Sequence, residues 1–411
     1  MSISFQRHRF SNGLRLIVHE DFTAQNATCN VLYQVGSRDE DPHQTGLAHL
    51  MEHFMFCGSK HIPNYDNPLQ KVGGINNAYT SQDHTQYYLT LPAGNLETAL
   101  WLESDRMLEL AFDPVGLDTQ KHVVIEEFKE VSLNRPFGDL WSGFSNFVYR
   151  KYPYKWMPIG KKISHIESVT MDTVRDFYRR YYQPANAILV VGGPVRFEEV
   201  VPLVEKWFGS IPSHEAPRKD FPREPQQRAG RTRTVHRNAP YPMLLKGWKM
   251  PPRLHPDFCA FDLLSDLLGN AQSSYLYREL VTGKGLFTDI SMTVSGTDGP
   301  GILALVARPA DGVDIHNADS QLEELLYNNF QFGPDFAHNL QKVKNKNEST
   351  LLNNEIKLDS RTSILAVEES ISCIEDFQDD IQKYRNVTEE QILKIFHHTV
   401  NPQCDNTYFY F

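Results

Sequence analysis

The 411-residue chain predicts an α+β fold made of two lobes. Three observations carry this expectation. The length exceeds what one hydrophobic core usually supports, so two domains of about 200 residues are expected. Strand-like and helix-like stretches are interleaved without the strict βαβ rhythm of a parallel sheet. Beyond a segment rich in Pro, Arg and Gln, the second half echoes the order of the first.

In chain order, Ser11-Asn12-Gly13 is a turn, followed by an alternating strand, LRLIVHE, and a second strand near Cys29 to Val35. Strands therefore precede the helix read from GLAHLMEHFMF. TQYYLTLP is another strand, NLETALWLESDRMLEL an amphipathic helix, and AILVVGG, Ala187 to Gly193, a buried strand. The segment 213–233, SHEAPRKDFPREPQQRAGRTR, is poor in large apolar residues and is read as a linker between an N-terminal lobe over 1–212 and a C-terminal lobe over 234–411. A strand, PMLLKGWKM, and a helix, HPDFCAFDLLSDLLG, follow it. Setting AHLMEHFMF against FDLLSDLLG puts Asp262, Ser265 and Asp266 opposite His49, Glu52 and His53. The second lobe is then a copy without the polar trio.

Composition excludes several classes. A net charge of −10 argues against nucleic acid or an anionic membrane surface as partner. The five cysteines, Cys29, Cys57, Cys259, Cys373 and Cys404, are odd in number, scattered and without CxxC spacing, which reads as reduced thiols rather than a disulfide framework. MSISFQRHRFSNGLRLIV has no continuous apolar core of a leader, and no run of 18 apolar residues occurs. The expectation is a cytoplasmic chain, with the periplasm open only if a leader had been removed.

GLAHLMEHFMF, Gly46 to Phe56, carries the chemistry. On a helix, His49, Glu52 and His53 share one side, while Leu47, Leu50, Met51 and Phe54 fall roughly opposite. Histidines at i and i+4 lie about 6 Å apart, close enough for both to reach one Zn²⁺ at roughly 2.0–2.1 Å. Glu52 is then placed to take a proton from a metal-activated water. The order is H-x-x-E-H, the reverse of the commoner H-E-x-x-H signature. The bland alternative is a surface helix with scattered polar residues. Lone histidines such as His84 and His122 are assigned ordinary surface or core duty.

A catalytic zinc wants a third protein ligand. VVIEEFKEV offers Glu126, Glu127 and Glu130. On a helix from about Asp118 to Asn134, Val124, Phe128 and Val131 form the apolar stripe; Glu127 lies within it and the other two point away. A carboxylate on a buried face needs a partner, a metal or a salt-bridging Arg or Lys, and the metal reading makes Glu127 the preferred ligand.

HLMEH followed by VVIEE resembles the pitrilysin or insulinase family of zinc peptidases. The resemblance extends to VGSRDED, GGINNAYTSQDHTQYY, PIGKKISHIESVTMDTVRDFYRRYYQPANAILVVGG and SSYLYRELVTGKGLF, and so covers nearly the whole chain. It implies two duplicated lobes, each an antiparallel-rich sheet packed with helices, together forming half of a clam-shell. The length is similar to the short-chain branch that includes mitochondrial processing peptidase and its bacterial relatives, in which two chains enclose one chamber. It implies one Zn²⁺ per chain, held by His49, His53 and Glu127, with Glu52 as general base. By the same resemblance the strand around Asn77, Ala78 and Tyr79 is the edge on which substrate lies extended.

Two positions depart from the family pattern. Where many members carry a second glutamate that supports the metal site, this chain has Gln120. Where active members carry an arginine and, seven residues later, a substrate-holding tyrosine, gapless alignment gives Val281 and Thr288, with Arg278 nearby at another spacing. The expected function is a zinc endopeptidase acting on unstructured peptides; the alternative is a non-catalytic subunit or peptide-binding scaffold. The departures imply a heterodimer with a homologous subunit that supplies the Arg and Tyr, and a homodimer as second choice.

Overall fold

A six-stranded sheet in the first half of the chain comprises a polar edge strand β1 (Gln6–Arg9) and the apolar-rich β2 (Arg15–Glu20), β3 (Asn26–Tyr33), β5 (Thr85–Pro92) and β6 (Ala187–Gly193), with β4 (Ile75–Thr80) at the other edge. The computed structural model describes residues 3–217, 220–237, 239–296, 298–371, 374–375 and 379–411. The strand order is β1-β2-β6-β3-β5-β4, with β2 and β6 parallel and every other pair antiparallel. β4 is therefore an edge. The turn joining it to β5 is closed by Ser81 N–H to His84 O at 2.8 Å, and the antiparallel alternation from that pair directs the N–H groups of Ala78 and Thr80 away from β5. Against one face of the sheet pack α1 (Leu47–Phe54), α2 (Leu96–Leu108) and α3 (Pro114–Phe128), through Leu50, Met51, Phe54, Leu100 and Val124.

A second sheet, in the second compact unit, has β7 (Arg231–Val235), β8 (Met243–Met250), β9 (Phe287–Ser295), β10 (Gly301–Pro309) and β11 (Asn406–Tyr410) in the order β7-β11-β8-β10-β9. Only β7 and β11 run parallel. Its core gathers Leu263, Leu264 and Leu267 of α4 (Phe258–Gly269) with Leu340 and Val343 of α5 (Phe336–Asn354). Both units are thus α+β with antiparallel-rich sheets covered by helices.

The units are not two contiguous halves. One comprises Met1–Val131, Trp156–Phe221 and Leu352–Gln378; the other comprises Ser132–Lys155, Pro222–Leu351 and Asp379–Phe411. The change of unit at Phe221 and Pro222 falls inside the segment expected as a linker. That segment is no free tether: Glu224, inside the second unit, accepts the N–H groups of Arg150, Lys151 and Tyr152 and pairs with Lys249.

The returning segment explains a second difference from expectation. LRLIVHE reads as an alternating, half-buried strand, yet Leu16, Ile17, Val18 and His19 are all buried. The reason is α6 (Leu358–Ser370), whose Leu365 and Ala366 cover Ile17, Leu32, Ile188 and Val190 on the sheet's other face. Fully burying a side chain such as Leu365 contributes about 1.5–3 kcal/mol. Gly192 of β6 permits the approach, since a Cβ there would lie 2.7 Å from Thr362 Cγ2. Cys29, Cys57, Cys259 and Cys404 are free thiols, and Cys373 lies outside the described residues.

Candidate metal centre

α1 is held at its start by backbone and side-chain chemistry together. Gly46 adopts φ +92°, a left-handed conformation that favours glycine, and turns the chain into the helix. The buried Glu40 carboxylate accepts Gly46 N–H at 3.0 Å and Ala48 N–H at 2.8 Å, two donors that the first turn of a helix leaves unpaired, and also the Trp156 indole N–H at 3.0 Å. Burial pushes the Glu40 pKa up to about 8, with these donors acting against the rise. Leu47, Ala48, Leu50, Met51 and Phe54 are buried, as the helical phase requires, which leaves His49, Glu52 and His53 on the opposite side.

α3 supplies the third group. Asp113 caps it by accepting the N–H groups of Val115 and Gly116, and Pro114 occupies its first position. Leu117, Val124, Ile125 and Phe128 are its buried residues, and it packs on α1. The expected helix and stripe need correction: the α-helix spans Pro114–Phe128, a π-helical turn follows over Lys129–Asn134, and Val131 is exposed. The wider π turn changes the angular phase after Phe128, so a stripe extrapolated at the α period misses. Glu127, before that change, is turned toward the histidines, whereas Glu126 is exposed and pairs with Lys129 at 2.6 Å.

His53 Nε2 lies 3.5 Å and His49 Nε2 3.8 Å from Glu127 Oε2. One ligand atom from each of the three lies within 4.8 Å of the others, the one such set of His, Cys, Asp or Glu among the described residues. Tetrahedral coordination at 2.0–2.1 Å needs ligand atoms about 3.4 Å apart, so the spacing fits a zinc ion with small adjustment. The His49 imidazole suits ligation as well. Burial, with the neighbouring His53 charge, lowers His49 to about 4, so its imidazole is neutral at pH 7. His49 Nδ1 is buried without a hydrogen-bond partner among the described residues, which leave this ring unheld from behind.

Glu52 meets the edge strand. Thr80 Oγ1 donates to Glu52 Oε2 at 2.6 Å, and the outward-pointing Thr80 N–H is directed to the same carboxylate. Burial raises the Glu52 pKa above the ordinary carboxylate range, the Thr80 hydroxyl lowers it, and the Glu127 charge raises it. Asn77, Ala78 and Tyr79 lie along β4, and the Asn77 carboxamide oxygen accepts the outward Ala78 N–H at 2.9 Å. Tyr79 OH is 3.4 Å from Ser363 Oγ of α6. Gln120, read as support for the metal site, instead hydrogen-bonds the Cys57 thiol. His84 is buried beside Tyr79, and exposed His122 bonds the Asp118 carbonyl.

Thr80, Glu40 and Trp156 are absent from the sequence-derived site. Thr80 had a signal available, because it follows Ala78 at the strand period of two and so shares its edge. Glu40 lies in the VGSRDED stretch, where nothing local assigns it a role, and Trp156 had no signal.

In the second unit, the positions opposite the trio have protein partners. Tyr384 OH donates to Asp262 Oδ2 at 2.6 Å, Ser265 Oγ to the Asp262 carbonyl at 2.8 Å, and Lys346 Nζ lies 2.9 Å from Asp266 Oδ1. Val281 packs against that unit's core and Thr288 Oγ1 donates to Arg308 O at 3.3 Å.

An α+β unit carrying two histidines and a glutamate in H-x-x-E-H order beside a carboxylate of a second helix defines the class, a metallopeptidase. Comparison supplies the family. Residues 15–138 match the family model for insulinase (peptidase family M16), and residues 168–331 match that for the peptidase M16 inactive domain. The zinc protease PqqE of Helicobacter pylori is 36% identical over 262 residues, 62% of this chain and 59% of that protein. The chain thus matches about three-fifths of that relative's length. A solved protease structure from Helicobacter pylori aligns with a TM-score of 0.88 and 26% identity, covering 99% of both chains. The chain belongs to the M16, or insulinase, family of zinc peptidases.

The expected cytoplasmic location is corrected by a further match. The periplasmic protease PqqL of Escherichia coli has the same fold over 99% of this chain, with a TM-score of 0.81 and 19% identity; 47% of PqqL is covered. Scattered thiols and the want of a leader-like stretch do not separate compartments, because a leader is removed from the folded protein and a fold without disulfides is stable on either side of a membrane. Among the described residues no helix is long and apolar enough to cross a membrane.

Proposed function

We propose that the chain is a zinc-dependent endopeptidase that hydrolyses unstructured peptides in a chamber formed by two chains. The observation that carries this reading is the approach of His49, His53 and Glu127 to one another beside Glu52, itself bonded to the open edge strand. One Zn²⁺ per chain is held by His49, His53 and Glu127. When bound, the metal supplies a Lewis acid that polarises the scissile carbonyl and acidifies water. β4 binds an extended peptide by backbone pairing at Ala78, once the Asn77 carboxamide moves off the Ala78 N–H, while the Thr80 N–H stays on Glu52. Asn77, Ala78 and Tyr79 thereby set the register of the peptide. Glu52 takes the proton of the attacking water at its free oxygen and delivers it to the leaving amine. Gln120 supports this arrangement through Cys57 at most, not by touching a ligand. Because neither Val281 nor Thr288 offers a guanidinium or phenol to substrate, a homologous subunit supplies them.

The deciding experiment is Glu52→Gln, with zinc content and cleavage of a quenched peptide measured together. Zinc stays near one per chain and turnover falls by about 10²-fold or more. Near wild-type turnover in a preparation free of other proteases would remove Glu52 from the mechanism, and a wild-type chain that binds no zinc would favour a peptide-binding scaffold.

A further inference from the structure

Beside the metal-free counterpart of the trio, the second unit contains a cavity of about 280 Å³ bordered by α4, residues 270–278 and α5. Its walls include Leu267, Phe332, Phe336 and Val343. Three cations, Arg278, Lys342 and Lys346, line it against one carboxylate, Asp266. That carboxylate is already engaged by Lys346 and by Asn347 Nδ2 at 2.7 Å. Among the described residues Lys342 Nζ has only neutral partners, Ser273 Oγ at 2.9 Å and Asn339 Oδ1 at 3.3 Å. Arg278 makes no ion pair among the described residues.

A further group in the wall points to a ligand. Ser274 is 4% exposed and its Oγ has no hydrogen-bond partner among the described residues. A buried hydroxyl left unpaired costs free energy until something polar meets it. The chain carries a net charge of −10, so an uncompensated pair of cations over an apolar cavity runs against its overall composition. Together these features fit a small occupant with an apolar body and an anionic head. A cavity near the lower end of the ligand-site range, about 300 Å³, has room for one bulky side chain and a carboxylate.

We propose that this cavity binds the free C-terminus of a peptide whose last residue is apolar. The terminal carboxylate pairs with Arg278 and Lys342 and accepts the Ser274 hydroxyl, while the last side chain lies against Phe336 and Leu267. Charge-assisted pairing of this kind discriminates an acid from its amide. The site is separate from the zinc ligands and needs no hydrolysis, although a peptidase releases ends of this chemistry.

The test uses the full chain carrying Glu52→Gln and a short unstructured peptide ending in Phe, labelled at its N-terminus and followed by fluorescence anisotropy. Mass spectrometry checks that the peptide stays intact, and zinc content of the same preparation reports on the metal centre separately. The free-carboxylate peptide binds saturably and its C-terminal amide binds at least about tenfold more weakly. Arg278→Gln and Lys342→Gln, both on exposed positions, each weaken the acid and leave the amide unchanged. Equal binding of acid and amide, or full binding in both variants, overturns the proposal. Decanoate competing as well as the peptide would assign the cavity to aliphatic acids and overturn the peptide occupant.

Discussion

Thr80 Oγ1 lies 2.6 Å from Glu52 Oε2, so strand β4 and helix α1 meet at the side chain proposed as the base. Thr80→Val keeps the strand-favouring shape and removes the hydroxyl. The hydroxyl stabilises the charged carboxylate, so its loss raises the Glu52 pKa beyond the elevation that burial already causes. Because the acid limb of kcat/KM reports the free enzyme's base, that limb moves to higher pH, and activity falls more at pH 6 than at pH 8. A pH–rate profile superimposable on wild type would mean that Thr80 does not act through Glu52.

Glu127→Gln is expected to reduce zinc occupancy far more than Glu126→Gln. Glu127 Oε2 stands 3.5 Å from His53 Nε2, while Glu126 is exposed on Lys129. Removing the charge of one ligand typically lowers affinity strongly, whereas a lost surface ion pair is worth about 0–1 kcal/mol. Zinc titration of both variants by competition with a chelator checks this; equal losses would reject Glu127 as the ligand.

Asp21 makes acid stability a property of the α6 segment. Its pKa is held down at about 2, first by the Thr23 hydroxyl and also by Arg361 of α6, 2.6 Å away. The folded value lies below the unfolded one, so the contribution is complete above about pH 4 and is lost as pH falls from there toward 2. Asp21→Asn is therefore less stable at pH 7 and loses less on acidification across that window. Urea midpoints at pH 2.5, 4 and 7 read the difference, and parallel curves for both proteins would refute it.

The partner reading predicts weak peptidase activity from the isolated chain and a rise of about 10²–10³-fold on adding a homologous subunit that carries the Arg and Tyr, the usual worth of groups that meet a developing oxyanion. Val281 packs in its own core and Thr288 is turned to the Arg308 carbonyl. Full activity from the purified chain, insensitive to any added subunit, would exclude the heterodimer.

The sequence by itself determined the polar face of α1, the buried strand Ala187 to Gly193, the α+β class and the direction of Glu127, because a helical or strand period is local and is written in residues a few positions apart. It did not determine that β2 is buried on both faces, since the residues that cover Ile17 are Leu365 and Ala366, near the other end of the chain. Nor could it show Glu40 capping α1, Gln120 turning to Cys57, or the π turn that carries Val131 out of the stripe. Closing a longer loop costs only slightly more entropy than closing a short one, so partners distant in the chain leave no spacing signal. Which segment covers a face, and which side chain reaches a helix end, was decided by tertiary packing.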